Sequence, residues 1–293
     1  MKRLPVLGLG LVLLAGAIAP ARAEQRVLYE KTSPFGLVLV TEEDGLRTLR
    51  FEKGGARQSV VKTGDPEHLE LPYAPVAFTG LALCGEPRRI LVVGLGGGTL
   101  AMFLRQYYPE ATIDAVDINP DVVTVAKELL GFREDSRMRG IVADGRVFIE
   151  KTRQPYDVIF LDAFGSDSVP PTLTTQEFLR AVLRAVRPDG VVIGNIWSRQ
   201  SNPLYDSMVR TYQEVFADLY ILAVPGAGNR ILLALPRRQT LSRDGLAAMA
   251  SKVSATKRFR FDLGGHVPQP GFEHVTTKSS TSRVLRDGDL PPP

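Results

Sequence analysis

The run Ile90-Leu91-Val92-Val93 passes directly into Gly94-Leu95-Gly96-Gly97-Gly98 and then into a helical stretch reaching residue 108. Few backbones accept that order. An uninterrupted apolar run rich in β-branched residues describes a strand buried on both faces. Four glycines in the next five positions describe a turn that passes close to another part of the molecule or to a ligand. The pattern then recurs. Residues 112–117 form a second apolar run, closed by Asn119-Pro120-Asp121 and a helix to residue 130. Asn119 suits an N-cap, and Pro120 suits the first helical position. Further strands are expected at residues 140–144, 156–162 and 190–196, with helices at 145–151, 174–186 and 203–216. Strands alternating with helices predict a parallel sheet covered on both faces.

The flanks follow other rules. Residues 27–64 alternate short apolar runs with turns, Glu43-Asp44-Gly45 among them, and predict a small β appendage. Residues 65–85 read as a linker with a helix at 72–83. Residues 219–224 and 230–235, joined by Pro225-Gly226-Ala227-Gly228, read as a hairpin on the sheet edge. A parallel sheet ending in such a hairpin resembles the class I methyltransferase architecture, a Rossmann-like, doubly wound α/β fold. The last stretch, residues 264–293, is rich in Gly, Pro, Ser and Thr and is expected to be a loose tail after a helix.

Composition excludes several classes. The chain of 293 residues carries a net charge of +4. Residues 1–23 hold Lys2, Arg3 and Arg22 and no acid, so the remainder has 33 basic against 32 acidic residues. With no basic run, a nucleic-acid partner is not expected. One cysteine, Cys84, and three histidines exclude a disulfide framework or a Cys/His zinc cluster, and no metal site is expected. Residues 1–23 read as a secretory signal: a positive start, an apolar stretch at 4–18, and Ala21-Arg22-Ala23 before Glu24. The body is expected to be exported, periplasmic or secreted, without stable membrane insertion after cleavage. The alternative is a membrane anchor left uncleaved.

The strand ends carry the chemistry. A glycine turn ahead of a helix N-terminus favours close approach of anionic or polar groups. Asp117 ends the second strand, 23 positions after Gly94, where an acid can accept both ribose hydroxyls. Asp144 ends the third, followed by Gly145, and is placed to accept from an adenine amino group. Together they predict a nucleoside site. An NAD-type turn would place a third glycine where Thr99 stands. The fourth strand closes on Asp162, with Asp167 five residues on. By the switch-point rule that loop lies over the reactive end of the ligand. Two carboxylates there can hold a cationic amine, and one can take its proton, since only the neutral amine has a lone pair for attack.

With these residues in view, residues 29–235 resemble the spermidine synthase family of polyamine aminopropyltransferases, and within it a divergent branch often fused to membrane transporters. The resemblance rests on the β appendage, Tyr73, Gly94, Gly96, Gly97 and Gly98, Asp117, Asp144, and Asp162 with Asp167. It implies a transferase with decarboxylated S-adenosylmethionine as co-substrate, no permanently bound cofactor, and a di- or polyamine as acceptor. Asp162 would match the catalytic aspartate, and Tyr73 would help to position the amine. It also implies self-association as dimers or tetramers, a homodimer being the form expected here. Residues 24–70 would be the small N-terminal domain, 71–238 the catalytic domain, and 239–293 the C-terminal helix and tail.

The sequence departs from the family's pattern in four places. The acid that usually follows the glycine loop is Thr99, and the Tyr-His-Glu motif is Tyr73-Ala74-Pro75. The two loop acids stand five apart instead of three, and the family's late tyrosine has no match at 224–230. An acid at position 99 would attract the donor's ammonium and repel the carboxylate of intact S-adenosylmethionine; threonine at a helix N-terminus accommodates that carboxylate. Methyl transfer from S-adenosylmethionine therefore stands as an alternative. A second is an exported, non-catalytic nucleoside- or polyamine-binding protein.

Overall fold

The computed structural model describes residues 25–166 and 168–290. Residues 1–23, read as a signal, lie outside the described residues, as does Asp167. Four antiparallel strands come first: β1 (Arg26–Ser33), β2 (Gly36–Glu43), β3 (Leu46–Arg50) and β4 (Arg57–Lys62), paired in chain order. Asp44 and Gly45 join β2 to β3 with positive φ at both positions (51° and 76°), as a two-residue hairpin turn requires. Next come α1 (Tyr73–Phe78), β5 (Arg89–Val93), α2 (Thr99–Tyr107), β6 (Thr112–Asp117), α3 (Pro120–Glu128), β7 (Met138–Val142), α4 (Gly145–Glu150) and β8 (Tyr156–Leu161). The chain continues through α5 (Gln176–Ala185), β9 (Val186–Trp197), α6 (Tyr205–Val215), β10 (Asp218–Ala223), β11 (Asn229–Leu235), α7 (Arg243–Lys257) and β12 (Phe272–His274).

The main sheet has eight strands in the order β12-β10-β11-β9-β8-β5-β6-β7. The five strands from β9 to β7 are parallel, and β11, β10 and β12 continue antiparallel. This is the doubly wound sheet with an antiparallel hairpin that the residue pattern predicts. Apolar layers cover both faces. One holds Phe78, Phe103 and Leu104 against Ile90 and Val92; the other holds Phe178 and Val182 against Leu91 and Ile159.

The small sheet is a wall of the same body. Val38, Val40, Leu49 and Val61 pack against Val122 and Val125 of α3. Lys31 adds an ion pair to Asp121 at 2.7 Å. Register then lines up the functional strand ends. Val93 pairs with Val116 and with Leu161, and Leu161 pairs with Gly194. The residues that follow β5, β6 and β8, and Asn195 late in β9, therefore stand in one row.

Two sequence expectations need correction. The helix expected at 72–83 is α1 followed by a 3-10 turn, Thr79–Leu83. The tail is not loose over its described residues, 264–290. β12 pairs with β10 and takes over the sheet edge from the hairpin. Further on, the buried Leu285 packs with the α5 and α6 side chains; its carbonyl accepts from Gln176 N–H (2.8 Å), and its own N–H donates to Thr211 Oγ1 (2.9 Å). Asp287 takes both guanidinium amino groups of Arg146, at 2.7 and 2.6 Å. Long-range pairing holds this segment, and local composition carries no trace of it.

Candidate active site

The glycine turn is shaped by what it must pass. Gly94 has φ +99°, and a Cβ there would lie 2.3 Å from the Asp162 carbonyl oxygen, so only glycine lets the β5 and β8 loops approach. The Leu95 and Gly96 N–H groups donate to Asp117 Oδ2 (3.2 and 3.3 Å), and Asn119 N–H donates to Oδ1 (3.0 Å). Asp117 thus ties the turn to β6. Burial raises its pKa and those three amides oppose the rise.

The four glycines divide. Gly94 and Gly96 line the cavity described below, whereas Gly97 and Gly98 do not. Gly97 donates its N–H to Ser59 Oγ on β4 (2.8 Å). Gly98, with φ +80°, closes against the Phe132 ring, which a Cβ would meet at 2.8 Å. Both contribute to the packing of the turn, against β4 and the Phe132 ring. Thr99 opens α2 and lines the cavity; its Oγ1 is buried and has no hydrogen-bond partner within the protein.

Asp144 is the N-cap of α4, its Oδ1 accepting from Arg146 N–H (2.7 Å) and Val147 N–H (3.1 Å). It also lines the cavity beside Gly145, where a Cβ would meet Val93 at 2.5 Å. One carboxylate therefore shapes the helix end and faces the ligand space.

Asp162 stands at the other side of the switch point. Tyr73, in the first turn of α1, donates its hydroxyl to Oδ2 (2.7 Å), and Asn195 donates Nδ2 to Oδ1 (2.8 Å). Asn195 Oδ1 in turn accepts from Asn229 Nδ2 (2.9 Å). Burial pushes the Asp162 carboxyl up to about 6, against the pull of its two donors. Burial beside that acid keeps the Tyr73 hydroxyl well above its ordinary range, so it stays a donor. A carboxylate that titrates near neutrality, with lone pairs left over, is fitted to accept a proton.

These groups share a cavity of about 470 Å³, a size that suits a nucleoside-sized ligand. Its walls come from the glycine turn, from Arg57, Gln58 and Ser59 of β4, and from Gly226–Asn229 of the β10–β11 turn, with Phe164 and Trp197 edge-to-face at 5.7 Å. Sequence reasoning missed Asn195, Asn229 and Ser59. Asn195 carries one signal, being the first polar residue after Val191-Val192-Ile193-Gly194 in a buried strand. Ser59 and Asn229 carry none, because their positions depend on how distant segments pack.

Known proteins resemble this chain in sequence and in fold. The spermine/spermidine synthase domain model matches residues 75–234. A polyamine aminopropyltransferase of Vibrio vulnificus is 33% identical over 241 residues, covering 78% of this chain and 80% of that protein. The eEF1A lysine and N-terminal methyltransferase of Bos taurus is 34% identical over 213 residues, covering 66% of this chain but only 30% of the longer relative. Among solved structures, human methyltransferase-like protein 13 in complex with SAH superposes with a TM-score of 0.58 at 32% identity, over 64% of this chain and 93% of that one. Spermidine synthase from Thermotoga maritima gives 0.60 at 20% identity over 81% and 79%, a likeness of fold. A domain match over more than half of the chain, with a third of residues identical across most of a full-length relative, makes this chain a member of the spermine/spermidine synthase family.

Proposed function

We propose that this chain is an aminopropyltransferase that moves an aminopropyl group from decarboxylated S-adenosylmethionine to an amine of a di- or polyamine. The observation that carries the reading is the Asp162 carboxylate, held from both sides by Tyr73 and Asn195 beside the glycine turn. Asp117 and Asp144 take the ribose and adenine in this reading. Asp162 faces the reacting end, and Asp167 is the second carboxylate for the cationic acceptor. The amine nitrogen attacks the carbon beside the sulfonium, the C–S bond breaks, and the sulfur keeps the electron pair as a thioether. The proton lost from nitrogen goes to Asp162. The enzyme contributes chiefly orientation and a nearby negative charge.

One observation favours a second reading. The unpartnered Thr99 Oγ1, at the N-terminus of α2, suits the carboxylate of intact S-adenosylmethionine better than the ammonium of its decarboxylated form. Methyl transfer would use the same Asp162. Mass spectrometry of a diamine incubated with each donor separates the two. A gain of one aminopropyl unit is expected. A gain of one methyl group would transfer the assignment to the second reading. Absence of both products across several amines, with methylthioadenosine still bound, would leave a nucleoside-binding protein. The proposal places the body outside the cytoplasm, supported by the signal-like residues 1–23.

A further inference from the structure

Behind Asp162, two asparagines form a chain of amides whose direction is dictated by their chemistry. An ionised carboxylate only accepts, so the Asn195 group at 2.8 Å from Asp162 Oδ1 is its NH2. That turns the Asn195 carbonyl toward Asn229. An amide carbonyl also only accepts, so the Asn229 group at 2.9 Å is again an NH2. Donation runs one way, from Asn229 through Asn195 to Asp162. The backbone enforces the contact. Asn229 pairs with Trp197 and Ile231 with Asn195, which makes the two asparagines diagonal neighbours on β11 and β9. Asn195 is only 6% exposed, so solvent competes little for its amide.

We propose that Asn229, at the start of β11, is a positioning residue for the transfer: it locks the Asn195 amide so that the NH2 group, and not the carbonyl, faces Asp162. The inference rests on the reading of Asp162 as proton acceptor. Without the Asn229 donor, Asn195 is free to turn over and set its carbonyl against the carboxylate. Two acceptors in contact repel, and the protonated acid, which alone can donate, becomes the favoured form. Among the described residues, Tyr73 from α1 and Asn195 from β9 are the polar side chains on Asp162, and the charged residues on the same cavity wall are Arg57, Asp117 and Asp144. Arg57 is engaged by Glu70 at 3.3 Å.

Two variants test the direction of the relay. Asn229→Ala removes the donor. Asn229→Asp keeps the shape and, when ionised, can only accept, which turns the Asn195 NH2 to position 229 and its carbonyl to Asp162. Its added charge raises the Asp162 midpoint as well, so the rise in the uncharged Asn229→Ala carries the test. The Asp162 carboxyl is followed by carbon-13 NMR titration without substrates and assigned against Asp162→Asn; kcat/KM is followed over the same pH range. The Asp162 midpoint should rise in both variants, by about one pH unit or more in Asn229→Asp and by less in Asn229→Ala. The acid limb of the rate profile should move with it. An unmoved midpoint in folded Asn229→Ala, or a larger rise there than in Asn229→Asp, would overturn the relay. If the midpoints move as expected while Asp162→Asn remains fully active, the relay stands and the proton-acceptor reading of Asp162 falls.

Discussion

Asp162 occupies a position that costs the fold stability, and the sign of that cost is testable. Burial raises its carboxyl from 3.8 to about 6, so the native state binds the proton more tightly than the unfolded chain does. The stabilising contribution is complete below the unfolded value and disappears as pH rises through about 6. At neutral pH the deficit is about 3 kcal/mol for a shift of this size. Asp162→Asn removes the charge while Tyr73 can turn its hydroxyl to accept from the new amide. Urea unfolding at pH 7 should show a gain on the order of 2 kcal/mol and a flatter stability profile between about pH 4 and 6. Turnover should fall roughly 10²-fold or more with methylthioadenosine affinity kept. A variant less stable than its parent at pH 7 would contradict this account of burial. Asp162 was legible because it closes an apolar strand in a sheet whose order the pattern dictates. Asn195 and Asn229 were not, because an asparagine's meaning here lies in the partner its amide meets across two strands.

At the scale of elements, periodicity wrote the parallel sheet plainly, and register did the rest by aligning four strand ends. The segment from Leu285 to Asp289 escaped because its partners lie 74 to 141 positions upstream. It acts as a strap behind the α4 side of the cavity. Arg146 binds Asp287 with both amino groups and also donates to the Thr172 carbonyl (3.3 Å) and to Glu150 Oε1 (2.9 Å). Thr172 and Gly145, on either side of that guanidinium, line the cavity. Asp287→Asn should therefore weaken methylthioadenosine binding several-fold, on the order of the 1 kcal/mol such a half-exposed pair provides, with kcat at saturating donor nearly unchanged. Calorimetry beside a KM-against-kcat comparison checks it. An unchanged dissociation constant would reduce the strap to packing.

The whole molecule closes its cavity with parts drawn from both ends of the chain. Arg57 to Ser59 of the small sheet supply one wall, and the strap braces the α4 end of another; both lie outside residues 75–234, which the family domain spans. Where this body works is a question for residues 1–23. Protein recovered from a secretion-competent host is expected to begin at Glu24, as Ala21 and Ala23 satisfy the small-residue rule. N-terminal sequencing decides it, and an intact Met1 in the cytoplasmic fraction would reverse the placement. The strap carries a temporal consequence. Strands β5 to β9 and Asp162 are synthesised well before Leu285, yet the brace on Arg146 exists only once Asp287 has emerged and folded back. A product cut before Asp287, by premature termination or by a protease, would keep Asp162 and the parallel strands yet lose the contact that steadies Arg146 beside the cavity wall.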